Sequence, residues 1–179
     1  IDRSGVMPNQ RCDWGSAIDA SICYGRTTVL ATAKSWIMED GCRLVGVLGM
    51  GGIGKTTFTI KLAEQIQPEF DLVIWRSLRH APSLDDLLID LLQFLQGREV
   101  IAVASTDKLI AQLIQQMRSH RCLIVLDQLE AIMRSGNTSG TYQGAYVDYG
   151  ELLRQIGEVR HQSCAIVVSR EKPLELTSP

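Results

Sequence analysis

The sequence predicts an α/β fold, a doubly wound parallel β-sheet with helices on both faces in a three-layer sandwich, from three observations. Four short runs, Leu44 to Leu48, Leu72 to Trp75, Cys122 to Leu126 and Ala165 to Val168, are continuously apolar and rich in Val, Ile and Leu, the pattern of strands buried on both faces. Amphipathic helical patterns separate these runs, and strands alternating with helices pair in parallel. A glycine-rich turn, Gly49 to Gly54, lies between the first run and the helix after it.

At 179 residues, 45% of them hydrophobic, the chain is long enough to close one full-sized core. Residues 1–20 carry Gly5, Pro8, Asn9 and Gly15 among isolated charges without a strand or helix period. They read as a linker or N-terminal arm that Trp14 docks, with residues 21–179 as the domain proper. From Thr27, Val29, Leu30, Ala33, Trp36 and Ile37 recur at helical spacing, and Gly41 stands where a left-handed C-cap would stop the helix. A second helix, Thr57 to about Gln67, follows the glycine-rich turn.

After the second strand, Leu84, Leu87, Leu88, Leu91, Leu92 and Leu95 form one apolar stripe. Ser83 and Asp86 are spaced for a capping box ahead of it and Gly97 ends it. The next helix starts near Asp107 with Thr106 as N-cap and turns Leu109, Ile110, Leu113, Ile114 and Met117 inward. Ile132 to Tyr146, with Gly136, Gly140 and Gly144 among polar residues, offers little to bury and reads as a functional or disordered loop. Helical spacing resumes near Val147 with Leu152, Leu153 and Ile156.

Eighteen basic against twenty acidic residues leave a net charge of −2, so no footprint for nucleic acid or an anionic membrane is visible. No apolar run is long enough to span a bilayer, and the chain, beginning at Ile1, reads as a soluble piece of a larger protein. Cys12, Cys23, Cys42, Cys122 and Cys164 are odd in number and without a CxxC pair, which fits small hydrophobes in a reducing cytoplasm rather than a disulfide framework or zinc site.

The chemistry concentrates in Gly49-Met50-Gly51-Gly52-Ile53-Gly54-Lys55-Thr56-Thr57, which matches the phosphate-binding loop G-x-x-x-x-G-K-[ST]. The glycines let backbone N–H groups of residues 51–57 wrap a polyphosphate, the helix N-terminus adds positive potential, and Lys55 reaches the terminal phosphates. The expected ligand is a purine nucleoside triphosphate or diphosphate with Mg²⁺, held by the Thr56 hydroxyl and by Asp127 at the end of the third strand. Gln128 follows where fast ATPases often carry a second acid; Gln orients water but takes no proton, so hydrolysis is slow unless Glu130 reaches the site. Glu130 alternatively is a solvated loop acid. Arg170, after the fourth strand, is placed to read a γ-phosphate, or else only caps the strand or pairs with Glu171.

Five segments carry a resemblance: Cys23-Tyr24-Gly25-Arg26, Val45 to Thr57, Phe70 to Ser77, Leu126 to Glu130, and Val168-Ser169-Arg170. They resemble the nucleotide-binding domain of STAND-class signal-transduction ATPases, the NB-ARC group shared by plant disease-resistance proteins and apoptotic protease-activating factors. The bacterial, especially cyanobacterial, members with repeat arrays after the domain are most similar. The resemblance implies that Tyr24, Gly25 and Arg26 lie against the adenine side, with Thr27 standing where an acid is often found. It implies that Arg170 faces the γ-phosphate, and that the four apolar strands are ordered second, third, fourth, first.

The resemblance further implies a fifth strand outside the first, then helical (ARC) and winged-helix subdomains closing over ADP, C-terminal repeats in cis, and self-association on activation with ATP. Lacking that fifth strand, the first strand is expected to be an open edge that pairs with another copy. The leading reading is a regulatory ATP/ADP switch with weak ATPase activity. A nucleotide-dependent scaffold without turnover and a small-molecule kinase are the alternatives; the kinase is disfavoured because Ile132 to Tyr146 offers only Arg134 as a lid arginine. A GTPase is disfavoured by the lack of an Asn-Lys-x-Asp guanine reader.

Overall fold

Alternate side chains of a strand leave opposite faces of a sheet, and here both faces are covered. In β3 (Leu72–Ser77), Leu72 and Ile74 enter one core while Val73 and Trp75 enter the other. β4 (Cys122–Asp127) likewise divides Ile124 and Leu126 from Leu123 and Val125, and β5 (Cys164–Ser169) divides Ala165 and Val167 from Ile166 and Val168. The first core is closed by α3 (Leu84–Gln96), α4 (Thr106–Ser119) and α5 (Asp148–Glu158), the second by α1 (Thr27–Met38) and α2 (Lys55–Ile66). This is the three-layer α/β arrangement, seen in a computed structural model that describes residues 10–15, 17, 25–100, 105–135 and 140–176.

The sheet has five strands in the order β1-β3-β4-β5-β2, with β1 at Arg11–Asp13 and β2 at Leu44–Leu48, and every pairing is parallel. Its last four members stand in the order that the resemblance implies. β1 is a different strand from the one implied outside the first: it lies in the stretch read as an arm, on the edge away from β2, and three residues are too few to display a period. It is held by an Arg11 N–H bond to the Asp71 carbonyl (3.1 Å), by Gln10 Nε2 donating to the Phe70 carbonyl (3.0 Å), and by Trp14 stacking on Trp75 at 6.3 Å between ring centres. Asp13 adds a 2.7 Å ion pair to Arg76, whose guanidinium also engages Asp90.

Register positions the functional ends. Ser77 stands opposite Asp127 in the β3–β4 pair, and Leu48 stands opposite Ser169 in the β2–β5 pair. The C-terminal ends of these four strands therefore share one edge of the sheet, where ligands of open α/β folds bind.

Three expectations change. Val29 and Trp36 are 58% and 48% exposed, because Leu30, Ala33 and Ile37 alone make the inward stripe of α1. Helix α4 starts at Thr106 with Ser105 as N-cap residue, and the Thr106 hydroxyl instead donates to Asp85 at 2.7 Å. The stretch from Ile132 to Tyr146 buries Ile132, Met133 and Tyr142. A Met133–Tyr142 antiparallel bridge joins its ends, and the Tyr142 hydroxyl donates to Glu175 at 2.8 Å.

Ser83 caps α3 as its spacing predicts: its hydroxyl oxygen accepts the Asp86 N–H at 3.1 Å, and the hydroxyl donates to the Asp86 carboxylate at 2.6 Å. Replacing it, Ser83→Ala, leaves an orphan helix donor and is expected to lower stability in urea unfolding by ~1 kcal/mol.

Candidate functional site

The loop between β2 and α2 turns back sharply because Gly52 and Gly54 adopt φ of 79° and 82°, a left-handed conformation that a β-carbon penalises. Gly54 thereby becomes the N-cap of α2, and the Phe58 N–H makes the helical bond to its carbonyl at 2.9 Å. Amides of that first turn have no intrahelical acceptor and carry the positive end of the helix dipole. Lys55 begins the helix, and its ammonium donates to the carbonyls of Gly49 (2.7 Å) and Met50 (2.9 Å), arching over the loop. The loop's first residue is tied to β5 by the Gly49 N–H bond to the Ser169 carbonyl at 3.3 Å.

Across the sheet edge, the Thr56 hydroxyl lies 3.2 and 3.4 Å from the two carboxylate oxygens of Asp127. Asp127 is 6% exposed. Burial pushes its carboxyl above the usual aspartate range; the Thr56 hydroxyl and the Gln128 N–H (2.9 Å) oppose that rise, nearby Glu130 adds to it and Lys55 opposes it. A hydroxyl and a carboxylate meeting here are the hard oxygen donors that Mg²⁺ prefers, and Mg²⁺ characteristically takes its other ligands from phosphates and water. Among the described residues there is no group of three or more His, Cys, Asp or Glu suited to hold a metal.

Gln128 adopts φ of 63°, unusual for a residue with a β-carbon. Its side-chain oxygen accepts the Ser77 hydroxyl at 2.9 Å, and the Leu78 N–H bonds to the Asp127 carbonyl at 2.8 Å. Ser77, as holder of Gln128, stands beyond the apolar run Leu72 to Trp75 and so outside the pattern that marks the strand. The available signal was a hydroxyl two residues beyond that end, in register with Asp127.

Glu130 and Arg170 are brought together by β4 and β5. Arg170 Nε lies 3.2 Å from one Glu130 carboxylate oxygen, and the Arg170 N–H donates to the other at 3.2 Å. Arg170 therefore pairs with Glu130 and not with Glu171, and Glu130 is no freely solvated loop acid. Arg26, at the start of α1, donates to the Ile53 carbonyl, so the phosphate loop is gripped from that side too. Tyr24 lies outside the described residues. A cavity of about 280 Å³ is bounded by Gly51, Gly52, Gly54, Lys55, Thr56, Asp127, Gln128, Glu130, Val168 and Arg170, which gathers most of the expected site residues around one space. Thr57 faces a larger adjoining cleft of about 760 Å³ that shares Thr56, Asp127 and Gln128 with it.

Residues 26–132 match the family model described as NB-ARC domain. The uncharacterized WD repeat-containing protein alr2800 of Nostoc sp. is 45% identical over 172 residues, covering 90% of this chain and 14% of that protein. Disease resistance protein RPS5 of Arabidopsis thaliana is 43% identical over 54 residues, 28% of this chain and 6% of its own length. The chain thus spans only a small part of these relatives. Among solved structures, Cdc6p from Pyrobaculum aerophilum superposes with a TM-score of 0.64 at 14% identity, covering 87% of this chain and 41% of that one, a likeness of fold.

The raised carboxyl of Asp127 fixes a sign. Folding binds its proton more tightly than the unfolded chain does, so this group's contribution to stability falls as pH rises from about 3.9 through the higher folded value. Asp127→Asn is expected to raise the thermal midpoint of the nucleotide-free protein at pH 7. Its midpoint should also vary less between pH 4 and 7 than that of the unaltered chain, as measured by circular dichroism.

Proposed function

The chain belongs to the NB-ARC domain family and is a nucleotide-binding module, and from that premise we propose that it is the ATP/ADP-binding regulatory switch of a STAND-type signalling ATPase, with slow hydrolysis. The observation that carries this reading is the Thr56 hydroxyl 3.2 Å from the Asp127 carboxylate, at the foot of a phosphate loop closed by Lys55. Backbone amides of residues 51–57 cradle the phosphates, and Lys55 exchanges its loop carbonyls for the terminal phosphoryl oxygens. Thr56 and Asp127 would hold Mg²⁺, which would supply positive charge to offset that of the phosphates.

Arg170 reads the γ-phosphate from the end of β5. Arg26, fixed to Ile53, lines the adenine side with Gly25. A groove of about 330 Å³ that includes Arg26, Val29, Trp36, Val47 and Ile53 gives that side an apolar wall of the kind a base prefers. Gln128 is the residue that orients water; without a proton acceptor there, turnover is slow.

The whole protein would carry closing subdomains and repeats in cis, in keeping with the WD repeats in the Nostoc relative's name, and would self-associate when ATP-bound. A cytoplasmic setting suits buried, unpaired Cys122 and Cys164; among the described residues no helix is long and apolar enough to cross a membrane. The second reading, a scaffold that binds nucleotide without turnover, is favoured by the Ser77 bond that occupies the Gln128 side-chain oxygen.

Phosphate release from ATP should proceed at a rate on the order of 10⁻³–10⁻² s⁻¹, and Lys55→Ala should abolish it while weakening nucleotide binding at least tenfold. Lys55-dependent binding without Lys55-dependent release selects the scaffold. Mass analysis of co-purified ligand should find adenine nucleotide if any is retained, and GDP there would overturn the adenine assignment.

A further inference from the structure

The Glu130–Arg170 pair has an asymmetry that the switch reading leaves unused. Glu130 is anchored: its 3₁₀ turn, Leu129–Ile132, drives Leu129 and Ile132 fully into the core, and the Glu130 side chain is 22% exposed. Arg170 is 65% exposed, and Glu130 is its one ion-pair partner among the described residues. Both carboxylate oxygens are committed to it, one to Nε and one to the backbone N–H. The guanidinium is also laid against the phosphate loop, where a β-carbon on Gly51 would come within 3.3 Å of its central carbon. The cation facing the loop is therefore already neutralised by a fixed internal anion.

Lys55 is held differently. Its partners are the neutral carbonyls of Gly49 and Met50, so any phosphate competes there with uncharged acceptors. A diphosphate placed by Lys55 and the loop amides satisfies that exchange. A triphosphate brings one more anionic group to the part of the cavity where Arg170 lies, and meets a carboxylate already holding the guanidinium.

On the reading of this loop as an adenine-nucleotide site, we propose that Glu130 determines specificity between triphosphate and diphosphate: it competes with the γ-phosphate for Arg170 and so biases the module toward ADP. Its carboxylate is a resident anion that ATP must displace and ADP need not. This role differs from activation of water, since the Glu130 oxygens are spent on Arg170.

The test measures Kd for Mg·ATP and Mg·ADP by calorimetry on the 179-residue chain and on Glu130→Gln, Glu130→Ala, Arg170→Ala and the Glu130→Gln/Arg170→Ala double variant, with Lys55→Ala as the control for site occupancy. Circular dichroism verifies folding of each. Glu130→Gln and Glu130→Ala should each tighten ATP about three- to fivefold, the upper range for an exposed ion pair, and leave ADP within twofold. In the Arg170→Ala background the gain from Glu130→Gln should shrink to under twofold, because the contested group is gone.

Lys55-dependent binding with an unchanged ATP-to-ADP ratio in both Glu130 variants overturns the competition while leaving the nucleotide site standing. Equal weakening of both nucleotides overturns it in favour of a structural role for Glu130. Lys55-independent binding, or none, removes the underlying reading and this inference with it.

Discussion

The hydrogen-bonded register of four parallel strands is the constraint on which the rest depends. Because β3, β4, β5 and β2 end level with one another, Ser77, Asp127, Arg170 and the phosphate loop are delivered to one edge although they are scattered over more than a hundred residues of sequence. A slip of one residue would turn each strand over, since side chains alternate between faces. That slip is opposed by two cores at once, because β4 and β5 are buried along their whole length. Geometry at the site is thus held by packing far from it.

The same arrangement sets stability against function at Asp127. A carboxylate that is 6% exposed resists ionisation, yet the metal-holding role proposed for it requires the charged form facing Thr56. Partial compensation comes from within the protein, through the Thr56 hydroxyl and the Gln128 amide. Gln128 reaches that bond in a left-handed backbone, and residues held so persist only where their surroundings over-determine them. Here those surroundings are the Ser77 hydroxyl and the Leu78 amide, both supplied by the end of β3 and the residue after it.

How much of this was legible in the sequence follows from how local each signal is. The loop from Gly49 to Thr57 could be read because phosphate binding demands particular residue types at fixed spacing. Asp127 could be read because four apolar residues announce a buried strand and the acid stands at its end. The Glu130–Arg170 pair could not: the partners are forty residues apart, and only the 3₁₀ turn after β4 aims one at the other. β1 has no legible signal because three residues have no measurable period, and it is held to the sheet by Gln10 and Trp14 beside the strand and by Asp13 at its end. The Ile132–Tyr146 stretch hides its buried residues because they are irregularly spaced, and among its described residues a bridge between Met133 and Tyr142 buries them outside any α-helix or extended strand.

The stacking of Trp14 on Trp75 has an optical consequence. One indole belongs to the N-terminal segment, and the other is a core residue of β3 only two positions before Ser77. Lifting that segment from the sheet would part the two rings and wet the buried one, altering the emission of the folded protein. The third tryptophan, Trp36, is already half exposed on α1 and would contribute a steadier background. The chain therefore carries an intrinsic fluorescent gauge of whether its first strand is seated, readable without any dye and located close to the residues that hold Gln128.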